Sequence, residues 1–354
     1  MKNHDINKKL RVFPIYGYSL LRSLSFTLQS SLLPFIDRLA TNKKREAPKD
    51  FKNHLIEALP KINALLLQDA ENIVAGLYPS EVLASEGLWI HAKRWPSILQ
   101  EAFSLSRRRN SKLSKTFTND SDDILRETPE YYARNFHFQD SGYLSSESAR
   151  LYEHQVEMLF SGAANAMRRL VLVDLKQRLN NSDGEGLNFL ELGSGTGALT
   201  RFVALAFPKA NITCVDLSPY YLQEAKKKLQ KFKRINFMKA NAEDLPFKEG
   251  TFDVVYSCYL FHEIPPSVRR KIMNESLRVA KADALIAVVD SLQKGDDADF
   301  EWALQQFPKD FHEPYYKSYI QNSLEELFSA SGLTGVKKSM GFLSKSVVGE
   351  RRSI

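Results

Sequence analysis

The chain has 354 residues, of which 43% are hydrophobic, 26% are charged and 11% are aromatic. This composition excludes a wholly disordered chain and a collagen-like or low-complexity one. The net charge is +7, and the two cysteines, Cys214 and Cys258, exclude a disulfide scaffold and a multi-cysteine metal site, so we expect no metal.

Residues 1–130 are predicted to form a helical domain, whose role the sequence does not identify. Apolar residues recur at helical spacing from Phe51 to Leu67 and from Ser80 to Gln100, where Ser80 is the expected N-cap. This part holds most of the basic excess, since its 20 Lys and Arg against 15 Asp and Glu leave a charge of +5. Such an excess is typical of a solvated face, and contact with an anionic membrane or an RNA is the alternative.

The longest apolar stretch near the start of the chain runs from Val12 to Ile36. Arg22 interrupts it, so it is too polar for a spanning helix. We interpret it as a buried helix of the N-terminal domain, and a helix lying in a membrane interface is the alternative. The polar residues 106–130 predict an exposed connection, which places a domain boundary near residue 130, with a second domain over 131–354.

From about Gly186 the pattern changes to short β-branched runs that alternate with amphipathic stretches. The predicted strands are Leu187–Leu192, Ile212–Leu217, Ile235–Lys239, Phe252–Cys258 and Ala284–Asp290. The predicted helices are Gly197–Phe207, Pro219–Phe232, Pro266–Val279 and Ser323–Ser331. Two further runs, near 335–339 and 342–348, could close the sheet as a hairpin. This alternation predicts βαβ units around a parallel sheet.

A glycine-rich loop, Glu191–Gly197 (ELGSGTG), follows the first of these strands. Its glycines permit positive φ and let a ligand approach the backbone. The spacing is not the G-x-G-x-x-G of a dinucleotide fold, and the loop lacks the Gly-Lys-Ser/Thr of a P-loop. Asp216 ends the second strand, where a carboxylate can accept hydrogen bonds from both ribose hydroxyls of a nucleoside. The alternative for Asp216 is a cap on the following helix.

Four motifs carry a resemblance: ELGSGTG, then CVDLS at 214–218, KANAEDLPF at 239–247 and TFDVVYS at 251–257. In this order the chain resembles the class I S-adenosylmethionine-dependent methyltransferases of the type 11 kind. Within these it is similar to the methyltransferases of ubiquinone and menaquinone biosynthesis. The resemblance covers about residues 185–292. It implies a Rossmann-like α/β sheet of seven strands with the last one antiparallel, and S-adenosyl-L-methionine as the cofactor.

The resemblance also assigns roles to residues of the four motifs. Gly193 and Gly195 let the backbone approach the methionine part of the cofactor, while Glu191 and Thr196 order the loop. Asp216 takes the ribose hydroxyls. The other cofactor-binding residues implied are Leu217 after it, Asn241, Ala242 and Glu243 beside the adenine, and Ser257 near the transferable methyl group.

The acceptor does not follow from the resemblance, because the sequence after the fourth strand, Cys258–Ile264 (CYLFHEI), departs from the quinone enzymes. His262 and Glu263 lie where the substrate should sit, and His262 is a candidate general base. A histidine that only lines the pocket is the alternative.

Two other segments are candidates for covering the site. Tyr143, in the aromatic segment 131–145, would lie over the cofactor, where an aromatic face suits a sulfonium charge. The insertion 292–319 would form a lid over the substrate. Its candidate contacts are His312, Tyr315 and Tyr316. Packing of a linker and of a helical insertion explains these aromatic residues as well.

The sequence thus predicts a methyltransferase that acts by in-line displacement on a small-molecule or lipid-like acceptor. We expect no nucleic-acid partner, since no RNA-binding module is recognisable. We expect a cytoplasmic protein, and peripheral membrane contact through the N-terminal region is an alternative to a freely dissolved one. An RNA methyltransferase and a non-catalytic S-adenosylmethionine-binding module are the alternatives.

Overall fold

The computed structural model describes residues 2–42, 51–84, 88–111, 122–134, 136 and 141–352. Five helices lie in the N-terminal part: α1 Lys2–Ser30, α2 Leu33–Thr41, α3 Phe51–Val74, α4 Leu88–Asn110 and α5 Asp122–Arg126. The helices that follow are α6 Ser146–Leu159, α7 Ala164–Arg178, α8 Ala198–Ala206, α9 Pro219–Leu229, α10 Pro266–Val279, α11 Glu301–Asp310, α12 Tyr316–Ile320 and α13 Leu324–Ala330. The strands are β1 Asn188–Leu192, β2 Asn211–Asp216, β3 Ile235–Lys239, β4 Phe252–Cys258, β5 Ala280–Ser291, β6 Leu333–Gly341 and β7 Ser344–Arg351.

The seven strands form one sheet in the order β3-β2-β1-β4-β5-β7-β6. Strands β1 to β5 are parallel, whereas β7 pairs antiparallel with β5 and with β6. The strand order reverses between β1 and β4, and a crevice at the carboxyl ends of strands at such a point is where open α/β sheets bind ligands. The predicted seven-stranded sheet and its closing hairpin are confirmed.

Each face of the sheet is covered by helices, which is why its central strands are apolar on both sides. Helices α7, α8 and α9 supply side chains such as Leu175, Phe202 and Leu229 to the core on one face. Helices α10 and α13 supply Ile272 and Phe328 to the core on the other face. The sheet is therefore rigid, and its carboxyl edge is a fixed platform for side chains.

Two predictions for the N-terminal part are wrong. Ser80–Gln100 is not one helix, because Ser80–Leu83 is a 3-10 turn that starts after Pro79 without a side-chain cap, and α4 begins separately at Leu88. The exposed connection does not begin at residue 106, since α4 continues to Asn110 and Arg108 pairs there with Glu101 at 2.7 Å. Residues 112–121 of that connection lie outside the described residues.

Helix α1 is buried on one side only, which corrects its interpretation as a buried helix. Val12 and Phe26 are buried, whereas Phe13 and Leu21 are 73% and 70% exposed. Among the described residues, none of the helices combines the length and the apolar character that crossing a bilayer requires.

The N-terminal helices pack directly on the sheet-bearing part. Arg169 of α7 donates two hydrogen bonds to the buried Asp69 carboxylate of α3, at 2.8 and 2.6 Å, and the Tyr78 hydroxyl donates a third at 2.8 Å. Ile73 and Tyr78 belong to the same apolar core as Phe202 of α8. A domain boundary near residue 130 stays a prediction.

Candidate active site

The glycine loop joins β1 to α8 along the carboxyl edge of the sheet. Gly193, Gly195 and Gly197 have positive φ values of 62°, 54° and 77°, a region that glycine enters without steric cost. A Cβ atom at Gly197 would lie 2.6 Å from Leu229 Cδ1 of α9. Gly197 thus allows close packing of the loop, while Gly193 and Gly195 line a cavity beside it.

Asp216, at the end of β2, ties this loop to the start of α9. Its carboxylate accepts hydrogen bonds from the backbone amides of Gly195 and Ser218, both at 2.8 Å. Ser218 Oγ itself accepts from the amide of Tyr221 at 3.2 Å, so it caps α9. Burial raises the pKa of Asp216 to about 6, against the lowering effect of the backbone hydrogen bonds. The carboxylate lines the cavity.

Glu191 and Thr196 fix the ends of the glycine loop. The buried Glu191 carboxylate accepts hydrogen bonds from the hydroxyls of Thr200 and, at 3.0 Å, Tyr256. Burial raises its pKa to about 8, so a cationic ligand group nearby would favour loss of its proton. Thr196 donates to Glu153 Oε1 of α6 at 2.5 Å. Both residues line the cavity.

The far end of the cavity is closed by residues that follow β2 and β3. Leu217, Asn241 and Ala242 line it. Asn241 Oδ1 accepts from the amide of Glu243 at 3.0 Å and thereby orders this turn. Glu243 lies behind the lining, where its carboxylate accepts from the Tyr131 hydroxyl at 2.8 Å.

Ser257 is a predicted site residue that the structure places elsewhere. It is buried, its hydroxyl has no hydrogen-bond partner, and it does not line the cavity. Side chains of adjacent strand residues point to opposite faces, and the next residue, Cys258, contributes to the lining instead. Burial raises the pKa of the Cys258 thiol above its ordinary value, which makes it a weak nucleophile.

An aromatic cluster covers the cavity. Tyr143 lines it and stacks on Phe136 with ring centroids 5.3 Å apart, and its position over the cofactor stays a prediction. Tyr221 of α9 meets Tyr143 edge to face at 5.3 Å, and Tyr152 of α6 does so at 6.2 Å. The Tyr143 hydroxyl donates to Glu263 Oε1 at 2.5 Å. Such faces are suited to a desolvated cation.

His262 forms a buried pair with Asp290, the residue near the end of β5 that sequence analysis did not single out. His262 Nδ1 donates to Asp290 Oδ1 at 2.6 Å, and the same carboxylate accepts from the backbone amide of Phe261 at 2.8 Å. Burial by itself lowers the pKa of His262, but the Asp290 carboxylate and, more weakly, Glu263 raise it to about 9. The ring is thus fixed by Nδ1, and its Nε2 lies 3.8 Å from Glu263 Oε1, beyond hydrogen-bond distance.

A second cavity adjoins the first, and we call it the acceptor pocket after the role proposed for it below. His262 lines it, and Tyr152, Tyr259 and Glu263 line both cavities. Most of its remaining walls are apolar, and it encloses about 620 Å³ including its mouth. Its other lining residues are Val156, Leu159, Phe160, Ser291, Ala303, Leu304, Phe307, Tyr316, Leu343 and Ser344.

Of the three predicted lid residues, the structure brings only Tyr316 to a cavity. Its hydroxyl lies 2.6 Å from Ser291 Oγ, and its ring lies 5.9 Å from that of His262. His312 and Tyr315 line neither cavity, because they lie in the turn between α11 and α12. The backbone carbonyl of Tyr315 accepts from Arg269 at 3.0 Å instead.

Several site residues escaped sequence analysis for a simple reason. Tyr152 and Arg168 belong to helices far from the four motifs, and no local pattern places them at the sheet edge. Asp290 could have been found, because it lies near the carboxyl end of a predicted strand, where polar residues of an α/β sheet meet. Within the described ranges, no three His, Cys, Asp or Glu side chains are grouped so that they could hold a metal ion.

Comparisons with known proteins agree with this geometry. A family model described as a methyltransferase domain matches residues 189–283. A malonyl-[acyl-carrier protein] O-methyltransferase of Geobacter sulfurreducens is 27% identical over 49% of this chain and 65% of its own length. An uncharacterized methyltransferase of Synechocystis sp. is 32% identical over 44% of this chain and 70% of its own length.

Other relatives match over less of their length. A demethylmenaquinone methyltransferase of Tropheryma whipplei is 28% identical, and the match covers 40% of this chain and 52% of that relative. The chain thus spans between about half and seven-tenths of the length of these three relatives. Among solved structures, human N-acetylserotonin methyltransferase in complex with SAM matches at 15% identity, over 73% of this chain and 70% of that chain, with a TM-score of 0.49.

Proposed function

Because this chain belongs to the class I S-adenosylmethionine-dependent methyltransferases and S-adenosyl-L-methionine is its cofactor, we propose that it methylates a small-molecule or lipid-like acceptor whose accepting atom carries a proton. The pairing of His262 with Asp290 beside an apolar pocket is the observation that supports this proposal. His262 acts as the general base.

The residues of the first cavity fit the cofactor. Asp216 offers a carboxylate for ribose hydroxyls, and the turn at Asn241 and Ala242 offers polar backbone groups for an adenine edge. The aromatic cluster around Tyr143 and the carboxylate of Glu263 suit a positively charged sulfur.

When bound, the cofactor supplies an electrophilic methyl group attached to a positive sulfur. The chain's own task is to hold the acceptor, exclude water and remove a proton. His262 Nε2 accepts the proton of the acceptor, and Asp290 stabilises the resulting imidazolium through Nδ1. Tyr259 and Tyr152, which line both cavities, form the walls where acceptor and cofactor meet.

The raised pKa of His262 determines when this base is active. With a pKa of about 9 the ring is protonated near neutral pH in the ligand-free protein. A positive charge in the adjoining cavity disfavours the imidazolium, since like charges repel. Cofactor binding therefore lowers the pKa of His262 and prepares the base for the acceptor.

Transfer of a tritiated methyl group into fractionated cell extract tests the proposed function. We expect counts to partition with organic-soluble metabolites. His262→Gln should reduce the rate by roughly 10²–10⁴-fold, the contribution typical of a general base. It should not weaken cofactor binding, because it removes a positive charge that repels the sulfonium.

The distribution of the counts also separates the alternatives. Counts in RNA would favour an RNA methyltransferase. If the cofactor binds but no fraction is labelled, the result would favour a non-catalytic S-adenosylmethionine-binding module. A His262→Gln variant as active as the parent would remove the general base from the proposal.

We also propose peripheral membrane contact through α1. Five large residues of this helix are exposed by 55–73% and form what we call the apolar stripe: Leu10, Phe13, Leu21, Leu24 and Leu28. Their spacing matches the 3.6-residue period of one helix face. Lys9 and Arg11 are exposed and lie about 100° to either side of the stripe. Basic side chains that flank an apolar face suit an anionic bilayer surface.

Flotation with vesicles of phosphatidylglycerol and phosphatidylcholine tests this contact. The full chain should float, and the triple variant Leu21→Ser, Leu24→Ser, Leu28→Ser should not. A matched control replaces three exposed apolar residues of α3, by Ile56→Ser, Leu59→Ser and Leu67→Ser, and should float like the parent. If the full chain does not float, the proposed membrane contact is wrong. If light scattering shows a dimer that only the stripe variant dissociates, the apolar stripe binds a second copy of the chain and not a membrane.

The cytoplasmic location stays a prediction as well. It is supported by the two cysteines, the buried Cys214 and the half-buried Cys258, which are both free thiols as expected in a reducing compartment. The helical domain over 1–130 and the methyltransferase domain over 131–354 remain our proposed division of the chain.

A further inference from the structure

A third cavity lies between the N-terminal helices α2 and α4 and helix α6, and we call it the helical cavity. It encloses about 920 Å³ including its mouth, and most of its lining is apolar. Its charged lining residues, Asp37 and Arg109, form an ion pair with each other. The apolar walls include Leu33 of α2, Ile98, Ala102 and Leu105 of α4, Val156, Met158 and Leu159 of α6, and Phe311.

The helical cavity adjoins the acceptor pocket along one face of α6. Tyr152, Val156 and Leu159 line both cavities. Their spacing of four and three residues places them on the same side of the helix. From Tyr152 to Leu159 the helix rises by about 10 Å.

An aromatic pair lies between the two cavities. Phe307 lines the acceptor pocket, and Phe311 lines the helical cavity. Their ring centroids are 4.9 Å apart. Both cavities are therefore bordered by apolar side chains of α6 and of this aromatic pair.

Polar side chains line both cavities, and those of the helical cavity include Ser106, Gln155 and the paired Asp37 and Arg109. The groups placed to take a proton from an acceptor lie at the other end. His262, Glu263 and Ser291 all lie in the acceptor pocket. The helical cavity offers an ion pair that is already satisfied, so it has little to attract a charged ligand. A ligand that fits both cavities has one polar end and one long apolar part.

We infer that the helical cavity binds the linear apolar tail of the acceptor, whose reactive head lies at His262. The acceptor class is an amphiphile with an acyl-like or isoprenoid-like chain of at least about 10 Å, the rise along α6. This inference rests on the proposed function for the position of the head. It also gives the N-terminal helices a role, which is to hold the tail.

Calorimetric binding of straight-chain carboxylates tests the inference apart from methyl transfer. Butanoate, octanoate and dodecanoate are titrated into the full-length protein, with S-adenosylhomocysteine titrated separately. We expect affinity to rise about fourfold for each buried methylene group, so dodecanoate should bind far more tightly than butanoate. S-adenosylhomocysteine binding with no gain from chain length would overturn the tail site and leave the proposed function standing.

Substitutions in α4 locate the tail. Ala102→Trp fills the helical cavity and should abolish the gain from octanoate to dodecanoate, while binding of butanoate and S-adenosylhomocysteine stays unchanged. Gln100→Trp, at an exposed position of the same helix, is the matched control and should behave like the parent. Leu105→Phe is a milder filling variant and should reduce the gain if Ala102→Trp does not fold. If the affinity of folded Ala102→Trp still rises with chain length as in the parent, the tail binds elsewhere and the inference is overturned. Leu105→Phe decides in the same way if it is the only variant that folds.

Discussion

The two ends of the crevice are built in different ways. At the end that we assign to the cofactor, residues of three short motifs, 191–197, 214–218 and 239–247, line the cavity, and backbone groups hold the loop in place, such as the Gly195 amide that donates to Asp216. At the acceptor end, the walls come from side chains of α6, α11, α12 and the β7 region, which are far apart in sequence. A site that is built from backbone groups and from residues close together in the chain can be recognised in the sequence. A site that is built from side chains far apart in the chain can be recognised only once the fold is known.

The largest effect is expected at the cofactor end. Asp216→Ala removes the carboxylate that we propose accepts hydrogen bonds from both ribose hydroxyls, and each bond to a charged group contributes about 1.5–3 kcal/mol. The affinity for S-adenosylmethionine should fall by roughly 100-fold or more, as measured by calorimetry. Glu185→Ala, an exposed position before β1, is the control and should not weaken binding. Unchanged affinity in Asp216→Ala, or tight binding of NADH, would contradict the assignment of this end.

The pH dependence sharpens the comparison at the acceptor end. A general base works when it is neutral, so kcat/KM for the acceptor should fall as pH drops through the pKa of His262, about 9 in the ligand-free protein and lower with cofactor bound. Asp290→Asn removes a carboxylate that raises this pKa, so the inflection should move to lower pH and the plateau should drop. An inflection that stays in place in Asp290→Asn would show that His262 is not the titrating base.

The smallest effect concerns the loop itself. Gly186 and Gly197 have nearly the same φ, 76° and 77°, but a Cβ atom at Gly186 meets nothing within 4 Å. Gly186→Ala should therefore lower the free energy of unfolding by about 1 kcal/mol, the cost of the left-handed backbone alone. Gly197→Ala should lower it by about 1–2 kcal/mol more, because Leu229 must move. Equal losses in urea unfolding would mean that packing against α9 does not require this glycine.

The same contrast explains what the sequence could predict. The parallel strands were located because buried β-branched runs alternate with amphipathic helices, and β3, β4 and α10 match their predicted bounds. The glycine loop and Asp216 were found at the ends of predicted strands, and the role of the turn at Asn241 was implied by the family resemblance. Ser257 was misplaced by one residue, since adjacent side chains in a strand face opposite ways.

The rest depended on long-range packing. Tyr152 reaches both cavities because α6 crosses the crevice, and its own neighbourhood in the sequence carries no signal for this. The helices α2 and α4 were assigned no role, because a cavity between helices arises from their mutual packing and not from the pattern of one helix. The single N-cap predicted at Ser80 failed because Pro79 starts a short 3-10 turn instead.

A crystal structure with S-adenosylhomocysteine tests the central claim most directly. The account predicts ribose hydroxyls within hydrogen-bond distance of the Asp216 carboxylate, adenine beside Asn241, and the sulfur turned toward Glu263 and the acceptor pocket. Density for the ligand anywhere else, or a glycine loop that closes over an empty crevice while Asp216 keeps only its backbone partners, would contradict it.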